Sequence, residues 1–469
     1  MFEKYRADLE RLVDYAWQHP EPSFREFECS GSQVEYLKKM GFEVQTNVAD
    51  TVTGYMASWG SGKPVIAILG EFDALYGLCQ KADCTAETPE PGAKTDMGQG
   101  CGHHLLGVGA IAAGLMLRDI MQEKGYAGTI RIYGCPGEES GSGKAYMARD
   151  GFFDDCDVAL TWHPSSYHMV STGSSQSCIQ CYFRFKGVAS HAAGAPHLGR
   201  SALDAVELMN VGVNYLREHM EDTDRVHYAI TDPGGASPNV VQSHAESRYF
   251  VRSTTNPKCQ ALYERVKKIA QGAALMTDTE LEVVFDEGLS NTVPNFVLEN
   301  LLDEVFRDVG VPEYTAEERA YAQSFKDTFP VEGQLSHLPD DVADRAKLVK
   351  SIRESALCDY YVETLRSDRC GMGSTDVGDV SWVVPTCTAN VNCYSYGAGG
   401  HSWQWVAQGK SSIAIKGMLH AGYVLARAGE KLLENPQLIA DARAELDRRL
   451  DGEKYESLIP AGVKPHYYD

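Results

Sequence analysis

A cysteine and two histidines stand among glycines in GQGCGHHLLGVGA, residues 98–110 of the 469-residue chain. In an extended backbone the side chains at i and i+2 point to the same side, so Cys101 and His103 can reach one ion. The glycines on either side of the cysteine allow the chain to bend sharply there. A Cys-x-His pair also arises easily by chance in a chain with 13 cysteines and 14 histidines. The pair therefore predicts a metal site only if other segments supply further ligands.

Four further residues with metal-binding or acid-base side chains follow predicted strands or lie in a glycine-rich loop. Glu138 and Glu139 follow the strand GTIRIYGCP, His163 ends the strand VALTWHP, and His401 lies in YGAGGHSWQW. Histidine nitrogen, carboxylate oxygen and thiolate are ligands of zinc and manganese, and five such ligands suffice for two ions that share a water. Of two adjacent carboxylates, one can bind metal while the other takes a proton from the water.

Each of these residues also has an ordinary structural explanation. Paired glutamates are most often a solvated turn or the start of a helix. A histidine after an apolar strand is often a hydrogen-bonded core residue, a histidine between glycine and serine is often a loop residue, and a cysteine is often a buried thiol. The elements that position the residues therefore decide between the two interpretations.

The first part of the chain alternates between predicted strands and predicted helices. The run VIAIL is continuously apolar and leads into Glu71 and Asp73, as in the buried strand of a mixed or parallel α/β sheet. The segments HHLLGVGAIAAGLMLRDIM and GKAYMARDGFF are predicted helices between the strands that follow. Ligands gather beyond the carboxyl ends of strands in such sheets, where Asp73, Glu138, Glu139 and His163 all fall. This convergence favours the metal site.

From about residue 177 the predicted order changes to strand, helix, strand, strand, helix, strand, and the last strand, LEVVFDEG, ends near residue 290. This order is typical of a small α+β sandwich. Long helices then return, with an acidic and polar stretch between about residues 312 and 356. We therefore predict an α/β domain with a mixed sheet, made of residues 1–176 and 291–469, and an inserted α+β domain at 177–290.

The composition is that of an ordinary soluble globular protein and excludes some classes of partner. The chain has 43 Lys plus Arg against 65 Asp plus Glu, and its formal charge of −22 repels phosphate backbones and anionic membrane surfaces. The N-terminal segment lacks the apolar region of a secretory signal, and we expect no run long enough to span a membrane. Thirteen cysteines without paired spacing suit a reducing compartment. We predict a cytoplasmic protein that binds neither nucleic acid nor membrane.

The ordered set of motifs resembles the aminoacylase and carboxypeptidase group of dinuclear metallohydrolases. The motifs are WQHPEPSFREFE, GEFDAL, GQGCGHHLLGVGA, PGEESGSGKAYMARDGFFDD, ALTWHP, GVASHAAGAPHLGRSALDAV, GGASPNVVQ, STDVGDVSWVVP and HSWQWVAQGKSSIAIKGML. The resemblance spans nearly the whole chain. It implies a zinc-peptidase-like catalytic domain, with residues 177–290 as a lid domain used for dimerisation. It also implies two divalent metal ions, manganese or zinc, held by Cys101, His103, Glu139, His163 and His401.

Further roles follow from the resemblance alone. Glu138 corresponds to the general base, and Asp73 corresponds to the aspartate that orients a metal-bound histidine. His191 corresponds to a lid histidine that reaches the partner chain's active site and donates a hydrogen bond to the developing oxyanion. Asn239 and Arg252 correspond to lid residues that bind the substrate carboxylate, for which a guanidinium group is well shaped.

Two features depart from the group that the motifs resemble. His104 stands at a position where members vary, so we expect it to lie behind the metal ligands at most. The segment from about residue 312 to 365 is longer than in the simpler aminoacylases, and we expect it to shape the substrate pocket or the dimer. The segment leaves the identity of the substrate open, whereas the metal chemistry does not depend on it.

These residues favour a metal-dependent amidohydrolase that cleaves an N-acyl amino acid or a dipeptide-like amide. One alternative is a hydrolytic deaminase of an aromatic amine, which uses the same activated water and releases ammonia. Another is a non-catalytic binding or regulatory subunit, which usually requires loss of a ligand or of the base, whereas every matched position is filled here. We expect a homodimer or a pairing with a related subunit.

Overall fold

The computed structural model describes residues 3–335, 338–339 and 341–466, and it contains a seven-stranded and a four-stranded sheet. The strands of the larger sheet are β1 (Glu43–Thr46), β2 (Tyr55–Ser61), β3 (Val65–Glu71), β4 (Gly128–Cys135), β5 (Val158–Ser165), β6 (Met169–Val170) and β11 (Thr386–Asn392). Those of the smaller sheet are β7 (Ser177–Lys186), β8 (Arg225–Asp232), β9 (His244–Ser253) and β10 (Glu280–Leu289).

Helices surround both sheets. They are α1 (Glu3–Gln18), α2 (Phe27–Lys39), α3 (His103–Lys124), α4 (Gly143–Arg149), α5 (Ala202–Leu216), α6 (Asn256–Thr277), α7 (Phe296–Val309), α8 (Ala316–Lys326), α9 (Val331–Gln334), α10 (Arg345–Glu354), α11 (Val377–Val383), α12 (Trp403–Gln408), α13 (Ser412–Glu434) and α14 (Pro436–Leu450). The predicted helices and strands of the first 176 residues are all present, within a few residues of the expected ends.

The larger sheet has the strand order β1-β2-β4-β3-β5-β11-β6. Its centre is parallel, because β3 pairs with β4 and β5, and β5 pairs with β11, in parallel register. The outer strands β1, β2 and β6 run antiparallel to their neighbours. Every residue of β3 is buried, as expected for an apolar strand that is covered on both faces. The predicted mixed α/β sheet is confirmed.

Helix α3 runs through the centre of the main core, between the sheet and α13. Among the described residues, α3 is the one helix that is long and apolar enough to cross a membrane. However, 94% of its apolar 18-residue window is buried inside the protein. The expectation that no run is long enough was wrong for this segment. A helix that is enclosed by other elements is apolar on every side, as a membrane-spanning helix is.

The smaller sheet has its own core and the predicted order of elements. Its four strands are antiparallel in the order β10-β7-β9-β8, and helices α5 and α6 pack against it. The first strand begins at Ser177 and the last ends at Leu289. We keep the division of the chain into 1–176, 177–290 and 291–469 as a proposal that these strand positions support.

The described part of the segment from 312 to 365 forms three short helices, α8, α9 and α10. Leu338, Val342, Leu348 and Ile352 pack against Met169 of β6 in a small core of their own. The segment therefore covers the β6 edge of the larger sheet.

A buried carboxylate joins the two sheets. Glu287 of β10 accepts a hydrogen bond of 2.9 Å from the Ser142 hydroxyl, just before α4, and another from the Gln180 amide of β7. Burial, followed by the charge of Asp286, raises the pKa of Glu287 to about 7. Because this value is above that of an unfolded chain, folding favours the protonated form.

We expect Glu287→Gln to stabilise the protein at high pH only. The raised pKa contributes stability that is complete below about pH 4 and is lost as the pH rises towards 7, because the carboxyl must then ionise while buried. At pH 8 the variant should be more stable by about 3 kcal/mol, and the difference should vanish near pH 3.5. Thermal melting at both pH values measures it, and an equal difference at both would contradict the assignment.

Candidate metal centre

The carboxyl end of β3 and the start of α3 form the centre of the site. The His103 Nδ1–H donates a 2.8 Å hydrogen bond to Oδ1 of Asp73, and both side chains are completely buried. Because a carboxylate only accepts, this contact assigns a proton to Nδ1, and Nε2 is the ring nitrogen that would face a metal ion. A carboxylate behind a histidine in this way is the usual support of a metal ligand.

Glycine at the start of α3 allows this approach. Gly102 has a φ of +79°, and a Cβ atom there would lie 2.4 Å from the Tyr394 hydroxyl. The residue must therefore be glycine, both for its left-handed backbone and for the space around it. The chain then turns so that the ligand atoms of Cys101 and His103, on either side of Gly102, lie within 4.8 Å of each other, and their binding of one ion stays a prediction.

His163 approaches the same point from β5. Its Nδ1–H donates to the carbonyl oxygen of Pro164 at 2.7 Å, and its Nε2 lies 3.4 Å from Sγ of Cys101. The ring stands edge-on to His103, with 5.8 Å between the ring centres. Both imidazoles therefore present Nε2 towards the thiol. Burial raises the pKa of Cys101, and coordination to a divalent cation reverses this effect by deprotonating a thiol.

Glu139 and His401 complete the group on the solvent side. The Glu139 N–H donates to Oδ2 of Asp73 at 2.9 Å, so that one aspartate positions both His103 and the loop after β4. Oε1 of Glu139 lies 3.3 Å from Nε2 of His401, whose side chain is 56% exposed. The His401 N–H donates to the carbonyl oxygen of Gly100 at 2.8 Å. The site is therefore buried on its sheet side and open towards solvent at His401.

The donor set fits two ions. There are three groups in which all ligand atoms lie within 4.8 Å of one another. They are Cys101 with His103 and His163, Cys101 with Glu139 and His401, and Glu71 with His103 and Glu138. The thiol belongs to the first two groups and can therefore serve both ions. Oε2 of Glu71 lies 3.1 Å from His103 Nε2, and Oε1 of Glu139 lies 3.3 Å from His401 Nε2. Carboxylate oxygen and imidazole nitrogen at this spacing are a donor set that fits a divalent cation.

Glu138 lies beside this group, and no hydrogen bond joins its carboxylate to another side chain of the described chain. Burial, together with the negative charges of Glu71 and Glu139, holds the pKa of Glu138 well above its usual range. A carboxylate with a raised proton affinity that is free of other partners can accept and return a proton. Its position next to a ligand is the one predicted for the general base, and its role stays a prediction.

The sequence analysis missed a buried ion-pair network beneath the site. The Lys144 ammonium lies 2.6 Å from Glu71 Oε1 and donates to Oδ1 of Asp376, also at 2.6 Å. Burial lowers the pKa of this lysine, but the charges of Asp376 and Glu71 outweigh burial and raise it. Oε2 of Glu71 lies 3.1 Å from His103 Nε2. Glu71 and Asp376 stand in the motifs GEFDAL and STDVGDVSWVVP, and Lys144 stands at the start of the short helix after GEES. The lysine in the first turn of this helix was the available sequence signal for the network.

The three predicted lid residues lie apart from this group. His191 and Asn239 are exposed neighbours, because the Ala192 N–H donates to the Asn239 carbonyl at 3.0 Å. Arg252 of β9 donates to the Ser374 hydroxyl at 2.9 Å, two residues before Asp376. In the described chain none of the three has a hydrogen bond or an ion pair with the predicted metal ligands.

His104 faces away from the predicted metal ligands. Its Nε2–H donates to the carbonyl oxygen of Gly409 at 2.9 Å, and burial lowers its pKa to about 4. The ring is therefore neutral and supports the loop before α13, in line with the expectation that it lies behind the ligands at most.

No family model matches this chain, but curated proteins are similar to it over nearly its whole length. One of the subunits of p-aminobenzoyl-glutamate hydrolase from Escherichia coli (strain K12) is 43% identical over 467 residues, which are 98% of this chain and 96% of that one. The Xaa-Arg dipeptidase of Mus musculus is 25% identical over 458 residues, which are 93% of this chain and 88% of that one.

Solved structures share the fold. A dinuclear metal-binding peptidase of the M20 family from Bacillus subtilis has a TM-score of 0.57 at 17% identity, over 93% of this chain and 100% of that one. An aminobenzoyl-glutamate utilization protein from Klebsiella pneumoniae has a TM-score of 0.58 at 17% identity, over 93% and 98% of the two chains. The fold of this chain, with its seven-stranded and its four-stranded sheet, is thus one that solved structures also have.

We expect Lys144→Met to destabilise the protein by roughly 3 to 5 kcal/mol, because it leaves Glu71 and Asp376 buried without a counter-charge. The double variant Lys144→Met with Asp376→Asn should recover part of the loss, since it removes one of the two charges. Thermal or denaturant unfolding measures both. The matched control is Lys63→Met, because the ion pair of Lys63 with Asp157 is exposed and contributes little. Equal losses in Lys144→Met and Lys63→Met would contradict the role of the network.

Proposed function

Because this chain belongs to the M20 family of dinuclear metallopeptidases and amidohydrolases, we propose that it hydrolyses the amide bond of an N-acyl amino acid or a dipeptide-like substrate. The substrate to test first is p-aminobenzoyl-glutamate, which the name of the 43% identical relative specifies. The observation that carries the proposal is the two groups of ligand atoms that share Cys101, beside an unpaired Glu138.

In this proposal Cys101, His103, Glu139, His163 and His401 hold two divalent ions. Bound ions polarise the amide carbonyl and make a water molecule more acidic. Asp73 fixes the proton on His103 Nδ1, so that the opposite nitrogen faces the metal. Glu138 accepts the proton of the attacking water and delivers it to the amide nitrogen, because an amine leaves poorly unless it is protonated.

The lid residues supply the substrate contacts. A guanidinium group suits a carboxylate, and the Arg252 Nε is a buried donor without a hydrogen-bond partner among the described residues. We assign Arg252 and Asn239 to the carboxylate of the amino acid that is released. We assign His191 to the oxyanion that develops on the scissile carbonyl, as a residue that is donated by a second chain.

The proposed dimer uses the smaller sheet. Strand β8 lies at the edge of this sheet, where its backbone can pair with another chain. Of the fifteen exposed large apolar side chains in the described chain, ten lie between residues 177 and 290, including Leu208, Val211 and Tyr215 along one face of α5. This concentration supports an interface on the lid. We propose a homodimer, with pairing to a related chain as the alternative outcome of the mixing experiment below.

Two further assignments complete the proposal. We propose manganese or zinc as the metal, because a mixed set of thiolate, imidazole and carboxylate ligands suits such borderline ions. We place the enzyme in the cytoplasm, since all thirteen cysteines are free thiols in the structure, several of them buried.

A substrate panel tests the function. The zinc-loaded and the manganese-loaded protein are assayed with p-aminobenzoyl-glutamate, other N-acyl amino acids and dipeptides, while free amino acid and ammonia are both measured. We expect release of the amino acid without ammonia. Ammonia release would instead identify a deaminase, and no turnover with either metal would favour a non-catalytic role.

Glu138→Gln and Glu139→Gln should differ in the same assay. Glutamine at 138 keeps the size of the side chain but cannot carry the proton, so kcat should fall by about 10² or more while both ions stay bound. The variant at 139 should lose metal as well as rate, because it removes a ligand charge. Elemental analysis beside kcat measures both, and equal metal loss in the two variants would reverse the assignment of base and ligand.

Mixing two inactive variants tests the composite site. A dimer of one His191→Ala chain and one Glu138→Ala chain has one site with both residues intact. Random exchange should therefore restore about a quarter of the wild-type activity. Mass spectrometry of the mixed dimers verifies the exchange. If verified mixed dimers stay inactive at all ratios, His191 does not serve the neighbouring chain.

A further inference from the structure

A cavity of about 270 Å³ lies between the larger sheet and the segment that covers its β6 edge. Ser165 of β5 and Asn390 of β11 line it on the side of the sheet. Pro339 and Asp341, from the segment between 312 and 365, line it on the opposite side. The segment between 312 and 365 therefore forms one wall of this cavity.

The cavity opens on the face of the sheet that carries the metal ligands. Asn390 is the parallel register partner of His163, so their side chains point to the same face of the sheet. Adjacent strands lie about 4.8 Å apart, which places Asn390 one strand away from a predicted metal ligand. Ser165 follows His163 by two residues and points to the same face. The cavity therefore lies beside a predicted metal ligand, which makes it the candidate space for the acyl group of a substrate.

The polar groups of the cavity differ in whether they are already paired. The Asn390 amide donates to the Ser171 hydroxyl at 2.5 Å, and the Ser165 hydroxyl accepts from the Tyr167 N–H at 3.3 Å. The Asp341 carboxylate, in contrast, has no hydrogen bond or ion pair with another residue that the structure describes. It is a free acceptor with a negative charge, so it favours a donor and repels a second carboxylate.

We propose that this cavity is the acyl-group subsite and that Asp341 selects acyl groups that carry an amino group. The proposal rests on the amidohydrolase function proposed above, and it adds the residue that discriminates among acyl groups. The amino acid half of the substrate lies on the side of the lid, whereas the acyl half lies towards β11 and the covering segment. An aromatic amine suits such a subsite, because its N–H groups are donors for the Asp341 carboxylate.

The test compares three acyl-glutamates that differ only at the para position of a benzoyl ring, with amino, hydrogen or carboxyl there. Asp341→Asn should lower kcat/KM for the amino substrate about tenfold, as expected for a lost hydrogen bond to a charged group, and leave the unsubstituted substrate unchanged. The same variant should raise kcat/KM for the carboxyl substrate, because the like charge is gone. Asp359→Asn is the matched control, since Asp359 is an exposed acid of the same segment that pairs with Arg319.

A binding arm separates failure of the subsite from failure of the proposed function. Calorimetry measures p-aminobenzoate binding to the zinc-loaded wild type, Asp341→Asn and Asp359→Asn. Weaker binding by Asp341→Asn alone supports the subsite, even if no acyl-glutamate is cleaved and the proposed function fails. Equal binding by all three proteins, no binding by the wild type, or an equal change of kcat/KM for all three substrates in Asp341→Asn would overturn it.

Discussion

Buried negative charge around His103 is the constraint on which the rest of the site depends. Five acidic side chains crowd this region, namely Glu71, Asp73, Glu138, Glu139 and Asp376. Ionised carboxylates are costly to bury unless positive charge compensates them. Lys144 neutralises part of the charge beneath the sheet, and two divalent ions would balance the remainder on the solvent side. The acids that repel one another here thus also favour the binding of cations.

The sheet explains why these acids meet at all. Strands β3, β4 and β5 are parallel neighbours, so the residues that follow them lie at one edge of the sheet. Asp73 then links two of the segments, because it accepts one hydrogen bond from His103 and another from Glu139. Loss of this aspartate would release a ring and a loop together. The segment between 312 and 365 packs against a different part of the same sheet, its β6 edge.

Much of this arrangement could be predicted from the sequence, because it follows from local patterns. The buried run before Asp73 and the strands before Glu138 and His163 place all three residues at carboxyl ends, and the structure brings them together. The pairing of Lys144 with Asp376 could not be predicted, since the two residues are 232 positions apart and neither has a local pattern. The proposed role of His191 is a different case, because it involves a second chain that one sequence does not describe.

The metal content of the purified protein is the direct test of a dinuclear centre. Such a centre predicts two divalent ions per chain after removal of metal and reloading with zinc or manganese, measured by elemental analysis. It also predicts that Cys101→Ser loses at least one of them, because a neutral hydroxyl replaces a thiolate that lies within reach of both ligand groups. A single ion in the wild type, or two ions retained in Cys101→Ser, would contradict the account.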